Sequence, residues 1–336
     1  MQVSDVAMKL LNDHLLALVG EQYEFPTWHG LRVVAGDATV LRLTLYGKAC
    51  NGKDTSRKIV EAIGFALYQP GIELTLASKL YLPNVGERQM LFEHLDYLRQ
   101  DDILVLDRGY PAHWMFAVLL QRQRHFCMRA DNLNFSAIQT FRHSGLAEQI
   151  VTLPAPCKQD IADYKIESLP PTVRLIRLVF GNSVRVLVTS LLDQENFPAA
   201  AFGALYHSRW RIEEAFKRLK HRLALEQLSG MSWLAAQQDF RAKILCDNLN
   251  SLAVYSASES LDADICGRYF INRGDTFSRI KRTLGRWLLL GRDALDNVAS
   301  VFSELIKNLV QIKPNRSFPR NPSQKPHLHH SKKNEV

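Results

Sequence analysis

One short stretch of the sequence concentrates side chains that could act on phosphates or metal ions. Because an α-helix turns by roughly 100° per residue, residues at suitable spacing share a face. One such face would bring Glu213 beside the phenol of Tyr206 and beside several cations. Lys217 also lies toward this face. This pattern predicts that the acid holds a metal cation while its neighbours hold phosphates. The residues that share the face within about 60° are Tyr206, Arg209, Glu213 and Lys220.

The same stretch also carries an apolar stripe at helical spacing. A side chain that recurs every three or four residues along a helix lies on one face, and such a face is normally buried. The sequence therefore predicts one amphipathic helix from Tyr206 to Lys220 and beyond. The apolar stripe consists of Ile212, Phe216, Leu219 and Leu223.

Two further acids stand at the ends of short apolar runs that are typical of buried strands. Asp37 ends the run 31–37, and Asp107 ends the run 103–107. The ends of neighbouring strands lie close together, and loops there collect functional groups. With Glu213 from a packed helix, the two aspartates would make an oxygen site suited to Mg²⁺ or Mn²⁺. Such a site can hold two ions about 3.5–4 Å apart and act on a phosphodiester.

Each acid also has a simpler interpretation. Asp37 could form a turn, and Asp107 could accept a local hydrogen bond from the loop that follows it. Glu213 could pair with Arg209 one turn earlier or with Lys217 one turn later. Taken one at a time, the three residues therefore do not establish a site.

The elements that would position these residues are those of an α/β layer. We expect a helix at 4–19 that ends at Gly20, a strand, and then a loop at 47–58. The Gln-Pro-Gly turn at 69–71 predicts a hairpin, although residues 59–67 could instead be helical. The remaining predictions are hairpin strands at 59–68 and 72–82, helices at 86–99 and 111–121, and strands at 103–107 and 125–129.

The second half of the chain changes character twice. Residues 131–195 contain few long helical patterns and include a hairpin signal at Gly181-Asn-Ser, so we expect a β-rich segment. Helical patterns then return at 233–257 and 277–310. Residues 313–336 are basic, rich in Pro and His, and have almost nothing to bury, so we expect a disordered tail.

Composition limits the class of protein. With 336 residues the chain can bury a large core, and its net charge of +8 favours a polyanionic partner. The five Cys are odd in number and lack zinc or redox spacing, which indicates reduced thiols. No apolar run is long enough to span a membrane, and no export signal is visible.

Together the motifs resemble those of bacterial insertion-sequence transposases of the D-D-E type, in the subgroup with the Y-R-E-K signature. In that signature Tyr is followed after two residues by Arg, after three by Glu and after six by Lys, and residues 206–220 meet every spacing. Asp107 opens an Asp-Arg-Gly-aromatic motif that is similar to the second-acid motif of the family. Asp37 stands at the first acid, followed by Ala-Thr where the family usually has Gly-Ser or Gly-Thr. The resemblance covers roughly residues 30–320.

The resemblance implies a fold and an activity. The fold is an α/β RNase H-like core, a mixed sheet with flanking helices, interrupted by a β-rich insertion and followed by a helical C-terminal part. The activity is that of a DNA transposase, which moves an insertion element by metal-dependent strand cleavage and strand transfer. Its partners would be element ends and target DNA. A homodimer in a synaptic complex is compatible with this activity. The resemblance places it in the bacterial cytoplasm at the nucleoid, away from membranes.

The resemblance also assigns roles to single residues. Asp37, Asp107 and Glu213 would be catalytic and would hold the metal, Mg²⁺ or Mn²⁺, as two ions. Relatives that cut through a DNA hairpin use an aromatic residue of the insertion, often Trp; residues 131–195 lack Trp, which leaves the cleavage route open. The residues that would contact DNA are Tyr206, Arg209 and Lys220, with Lys217 beside them.

The domain organisation follows from these assignments. We expect the short segment 1–30 to be a remnant of a DNA-binding domain, since relatives carry a longer helical region there. Binding to DNA should then lack sequence preference. Two alternatives are a nuclease of the same fold and a truncated transposase that binds without transposing. The remaining expected segments are a first core part at 31–130, an insertion at 131–195, the Glu213 helix with C-terminal helices at 196–312, and a tail at 313–336.

Overall fold

The structure of the protein is a computed structural model that describes residues 5–46, 57–130, 135–181, 183–290, 301 and 303–313. The chain forms two compact units, residues 1–241 and 242–336. The expected tail beyond residue 313 and most of the expected loop at 47–58 lie outside the described residues. The part of that loop that is described, Arg57 and Lys58, is already strand.

Within the described part of the first unit, nine strands form one mixed sheet. The sheet order is β4-β3-β2-β5-β6-β9-β8-β7, and β1 pairs with β2. The strands are β1 Thr27–Trp28, β2 Leu31–Tyr46, β3 Arg57–Gln69, β4 Leu74–Tyr81, β5 Asp102–Leu106, β6 His125–Arg129, β7 Glu148–Thr152, β8 Thr172–Phe180 and β9 Ser183–Thr189.

The centre of the sheet is parallel and its flanks are antiparallel. β2, β5 and β6 run parallel, whereas β2, β3 and β4 form the antiparallel meander that includes the predicted hairpin. The helical alternative for 59–67 is therefore wrong. A buried ion pair fixes the start of the parallel register, because Arg32 Nε and Nη2 donate to Asp102 at 2.6 and 2.8 Å and these two residues are register partners.

Apolar residues cover both faces of the central strands, which is why these strands read as continuous apolar runs. Alternation along each strand separates two cores. Val34, Leu104 and Phe126 belong to the larger core. Val33, Ile103 and Cys127 belong to the second core, on the other face.

The helices of the first unit occupy these two faces. Met90 and Leu91 of α2 and Phe116 of α3 pack into the larger core, whereas Phe202 and Leu205 of α6 pack into the second. The helices are α1 Asp5–Gln22, α2 Glu87–Phe92, α3 His113–Gln121, α4 Ser136–Ser144, α5 Lys158–Tyr164, α6 Phe202–Ser208, α7 Trp210–His221 and the start of α8 Trp233–Glu259.

Several predicted boundaries are wrong, each for a local reason. α1 continues through Gly20 to Gln22, because glycine weakens a helix without ending it unless the chain turns there. The helix expected at 86–99 is the short α2 followed by a 3₁₀ turn at Leu95–Tyr97. α3 begins at His113, two residues after Pro111.

The strand that carries Asp37 differs most from its prediction. β2 does not end at Asp37 but continues to Tyr46. Its antiparallel ladder with β3 continues through Asp37, opposite Ala66, as far as Tyr46, opposite Arg57. The backbone partner supplied by β3 therefore extends the strand beyond the point where its parallel pairing with β5 stops.

Residues 131–195 contribute strands and short helices to the same sheet. β9 pairs antiparallel with β6, β8 with β9, and β7 with β8. The described part of this segment thus contains three strands and the helices α4 and α5. It is β-rich, as predicted, and it widens the central sheet.

The second unit is mainly helical over its described residues. Ile271, Ile280 and Leu305 are buried together, and β10 pairs antiparallel with β11. Among the helices that the structure describes, none has the length and apolar character to cross a membrane. Besides the end of α8, this unit contains α9 Ala263–Cys266, β10 Tyr269–Ile271, α10 Arg273–Leu290 and β11 Leu309–Gln311.

Candidate active site

The register of the parallel strands explains why the two aspartates meet. Ala35 lies beside Val105, and Val105 lies beside Cys127. Two residues after these positions, each of the three strand segments reaches a charged residue at an equivalent position, on the face of the sheet where α6 packs. These charged residues are Asp37, Asp107 and Arg129.

Glu213 lies on the second of two consecutive helices that pack near this row of charged residues. The predicted helix divides at Arg209, where α6 ends and α7 begins. Two three-residue hydrogen bonds mark the division, from Arg209 N to the Tyr206 carbonyl at 3.3 Å and from Ile212 N to the Arg209 carbonyl at 3.1 Å. The prediction of a single continuous helix is therefore wrong, and the tighter local winding changes the angular relation between Tyr206 and Glu213.

The apolar stripe of α7 fixes its orientation on the sheet. Ile212, Phe216 and Leu219 are buried as predicted, whereas Leu223 is only partly buried and follows the end of α7. Because this apolar face packs against the protein, Glu213 lies at its border and is half-buried.

Polar contacts hold α7 against the β2–β4 meander. Glu73, in the turn between β3 and β4, accepts from Arg211 Nη1 at 2.9 Å and pairs with Arg218 Nη1 at 3.0 Å. Lys220 Nζ donates to the Val40 carbonyl at 2.7 Å. The helix that carries Glu213 is thereby attached to the strand that carries Asp37.

A buried arginine of β8 positions the segment that leads into α6. Arg174 is fully buried. Its Nε donates to Glu148 at 2.6 Å, and its Nη1 donates to the Phe197 carbonyl at 2.7 Å. The strands of 131–195 therefore support the start of the helix pair that carries the predicted signature.

Arg209 lies between two of the three predicted acids. Its Nη2 donates to Glu213 Oε1 at 2.7 Å, and its Nη1 lies 3.5 Å from Asp37 Oδ2. The exposed fractions of these side chains are 8% for Arg209, 15% for Asp37 and 31% for Glu213. The simpler expectation that Glu213 pairs with Arg209 is thus confirmed, and the pair extends to Asp37.

Asp37 has an electrostatic environment unlike that of a surface turn. Burial raises its pKa from 3.8 to about 7, against the opposing charge of Arg209 and a hydrogen bond from Ala38 N. The negative charges of Asp107 and Glu213 add to the increase in the pKa. Asp107 and Glu213 therefore both lie close enough to act on Asp37, and a cation would relieve the cost of ionising Asp37.

Asp107 also makes the local contact that was the simpler expectation for it. Its Oδ1 accepts from Gly109 N at 2.7 Å, which closes the first turn after β5. The contact orients the carboxylate through one of its two oxygens. A turn-forming role and a ligand role are compatible for this residue.

The residues predicted to bind phosphate differ in how accessible they are. Tyr206 is buried, and burial raises the pKa of its phenol. Burial lowers the pKa of Lys220, against the charge of Glu226, and Lys220 is bound to the Val40 carbonyl. Lys217 is exposed and is therefore the most accessible of the four predicted DNA contacts.

Three residues near the acids were not predicted from the sequence. Glu87, at the start of α2, has its pKa raised by desolvation and by the charge of Asp107. The pKa of Tyr110 is raised by burial and by the charges of Asp37, Glu87 and Asp107. Arg129 acts electrostatically on Tyr206. Only Arg129 had a usable signal, because it ends a strand next to the one that precedes Asp107.

The donor set of the site fits a divalent cation. Carboxylate oxygens are the ligands that Mg²⁺ and Mn²⁺ prefer, and the high pKa of buried Asp37 marks negative charge without full compensation. As their side chains are placed, no three His, Cys, Asp or Glu among the described residues already form a ligand group. Arg209 stands between Asp37 and Glu213, so a cation that used both carboxylates would displace the guanidinium.

The structure is a mixed α/β fold in which Asp37, Asp107 and Glu213 lie near one another at one edge of the parallel strands. The family model described as the transposase DDE domain matches residues 28–249, which is well over half of the chain. The chain therefore belongs to the transposase DDE domain family. Enzymes of this family generally use divalent metal ions.

Two further comparisons complete these findings. The piggyBac transposase, solved by cryo-electron microscopy as a synaptic complex with hairpin DNA, is similar to this chain at 11% sequence identity and a TM-score of 0.45. The match covers 85% of this chain and 59% of that chain, so this chain spans less than two thirds of that protein. Comparison with curated proteins found no match.

Proposed function

We propose that the protein is a DNA transposase that cleaves and transfers strands of an insertion element with the help of divalent metal ions. The observation that carries the proposal is the electrostatic coupling of Asp37, Asp107 and Glu213 at one edge of the sheet, in a chain of the transposase DDE domain family. A nuclease of the same fold would share this site, so joining of strands is the property that separates the two functions.

Asp37, Asp107 and Glu213 would hold the metal, which we propose is Mg²⁺ or Mn²⁺ as two ions. Bound cations of this kind supply Lewis acidity and lower the pKa of water near a phosphodiester. Three different parts of the fold position the carboxylates: β2 carries Asp37, the loop directly after β5 carries Asp107, and α7 carries Glu213. Because Asp37 is buried, bulk water is excluded from its side of the site.

The basic residues around the acids would bind the DNA backbone. Arg209 is planar and can bind a phosphate through two nitrogens, while Lys217 and Lys220 act as point charges. Tyr206 would contribute its phenol next to Arg209, which lies 5.9 Å from the ring centroid. We propose element ends and target DNA as partners, a homodimer in the synaptic complex, and action at the nucleoid in the cytoplasm.

The expected segments would divide this work. We propose that 31–130 and 196–312 supply the acids, that 131–195 supports the Glu213 helix, and that 1–30 and the tail at 313–336 add contacts outside the catalytic centre. Arg174 is the observation that supports the role of 131–195, since it joins β8 to the segment before α6.

A cleavage assay tests the function. The substrate is a plasmid that contains the gene of this chain with its flanking DNA, incubated with Mg²⁺, Mn²⁺, Ca²⁺ or chelator. We expect nicking and joined strands with Mg²⁺ or Mn²⁺ and little cleavage with Ca²⁺, whose looser coordination fits in-line displacement poorly. Asp107→Asn should reduce cleavage by about a hundredfold or more, whereas the matched control Glu214→Gln, on an exposed position of α7, should not.

Each other result has a defined meaning. Equal cleavage in chelator, or full cleavage by Asp107→Asn, contradicts the metal mechanism. Linear products without joined strands indicate a nuclease. DNA binding without metal-dependent nicking indicates a remnant that binds but no longer transposes.

A further inference from the structure

A fourth carboxylate, Glu87, borders the site from the opposite face of the sheet. α2 belongs to the larger core, through Met90 and Leu91, and α6 belongs to the second. A Cβ atom placed on Gly109 would lie 3.1 Å from Asp107 Oδ1 and 3.6 Å from Glu87 Oε2. The two carboxylates therefore face one small space that exists because residue 109 has no side chain.

A side chain next to Glu87 keeps the two carboxylates together. Arg88 Nε donates to the carbonyls of Gly109 and Tyr110 at 2.9 and 3.1 Å. These bonds join the first turn of α2 to the loop that follows Asp107. The backbone of Glu87 is thus held beside Asp107 by contacts that do not involve its own carboxylate.

A buried hydroxyl provides an independent observation. Tyr110 is fully buried, and its hydroxyl has no hydrogen-bond partner in the part of the chain that the structure describes. The charges of Asp37, Glu87 and Asp107 all act on it. Buried hydroxyls nearly always have a partner, so this one points to a ligand or its hydration water at the carboxylates.

We propose that Glu87 is a further ligand of a divalent cation, which it holds together with Asp107 at the space above Gly109. The proposal rests on the proposed function and deepens it, because it adds a residue to the metal site beyond Asp37, Asp107 and Glu213. The chemistry is that of hard oxygen donors, which bind Mg²⁺ or Mn²⁺. Gly109 is required because any larger residue would occupy the space between the two carboxylates.

Mn²⁺ binding to the full chain without DNA tests this role directly. Titration calorimetry or the Mn²⁺ resonance signal would be measured for the wild type and Glu87→Gln. We expect binding about tenfold weaker or more, or the loss of one bound ion. The matched control is Asp96→Asn, which removes a negative charge from the same stretch at a side chain that is 92% exposed and pairs with Arg122. This control should bind Mn²⁺ like the wild type.

Gly109→Ala provides a second variant that changes no charge. Its Cβ would enter the space between the carboxylates, so Mn²⁺ binding should again weaken while the thermal unfolding temperature stays close to that of the wild type. Unchanged Mn²⁺ binding by Glu87→Gln, an equal loss in Asp96→Asn, or no Mn²⁺ binding by the wild type would each overturn the proposal. The Mn²⁺ titration contains no DNA, so it tests the role of Glu87 separately from cleavage. If the protein binds Mn²⁺ through Glu87 but does not cleave DNA, only the proposed function is contradicted.

Discussion

At the scale of single residues, Arg209 and Asp37 determine the electrostatics of the site. Arg209 neutralises part of the negative charge between Asp37 and Glu213, yet burial still raises the pKa of Asp37 to about 7. The guanidinium can therefore hold Asp37 and Glu213 together while the pKa of Asp37 stays raised. A divalent cation carries more charge and would compensate them further.

The raised pKa of Asp37 predicts how stability depends on pH. Its unfolded pKa is about 3.9, so between about pH 4 and 7 the folded state binds more protons than the unfolded state. The contribution of Asp37 to stability is therefore present at low pH and is lost as the pH rises through about 7. Asp37→Asn removes this loss. With chelator present and above pH 7, the free energy of unfolding of the variant should exceed that of the wild type by on the order of 1–3 kcal/mol.

Urea unfolding of both proteins from pH 4 to pH 8 measures this difference. The gain should shrink as the pH falls toward 4 and approach zero below the unfolded pKa of about 3.9, where Asp37 is protonated in both states. Because Asp37 belongs to the proposed metal site, saturating Mn²⁺ should reverse the order by stabilising the folded wild type. A difference that does not change with pH would contradict the environment assigned to Asp37.

At the scale of elements, the position of Glu213 depends on the attachment of α7 to the β3–β4 turn. Glu73 has a positive φ of 61° and stands in that turn, where two arginines of α7 reach it. The attachment is polar and partly buried, so it is directional. It adds to the apolar packing of Ile212, Phe216 and Leu219.

Glu73→Gln tests this attachment. The variant loses both ion pairs and leaves the partly buried Arg218 less well compensated, so the free energy of unfolding should fall by about 1–3 kcal/mol. Amide hydrogen exchange in α7 should rise more than in the central strands. The matched control is Glu61→Gln, whose side chain is 59% exposed and lies 3.9 Å from Arg42; it should change stability by about 0.5 kcal/mol or less. Equal effects of the two changes would argue against the attachment.

At the scale of the whole molecule, the net charge of +8 is not all available to DNA. Arg211 and Arg218 pair with Glu73. In the second unit, Arg279 of α10 pairs with Asp275 at 2.7 Å and with Glu304. The charge of Arg279 is therefore compensated by acids, whereas Lys217 on α7 and Lys281 on α10 are exposed.

The salt dependence of DNA binding distinguishes these two kinds of cation. Each phosphate contact contributes about 0.9 to the slope of log affinity against log salt on duplex DNA. Lys217→Ala should lower the slope by about one contact and weaken binding to all sequences alike. Arg279→Ala removes a cation already compensated by acids and should leave the slope unchanged. A loss of slope in Arg279→Ala as large as that in Lys217→Ala would contradict this division.

The local chemistry of the site was readable from the sequence. Asp107 follows a continuous apolar run that must be a buried strand, and Glu213 lies on a helix whose apolar stripe sets its buried side. These are short-range features, because strand and helix periodicity depend on a few neighbouring residues. The spacing of Tyr206, Arg209, Glu213 and Lys220 was equally local, and it led to the family that the matched domain confirms.

Contacts between distant parts of the chain decided the rest. Pairing with β3 extends β2 beyond Asp37, and the bonds of Arg88 to the loop after Asp107 hold the start of α2, with Glu87, beside that loop. The packing of α7 beside β2 brings the guanidinium of Arg209, which pairs with Glu213, to 3.5 Å from Asp37. Glu87 and Asp107 are 20 residues apart in sequence and follow no common spacing, so only the tertiary contacts of α2 with the loop after β5 place the two carboxylates around one space.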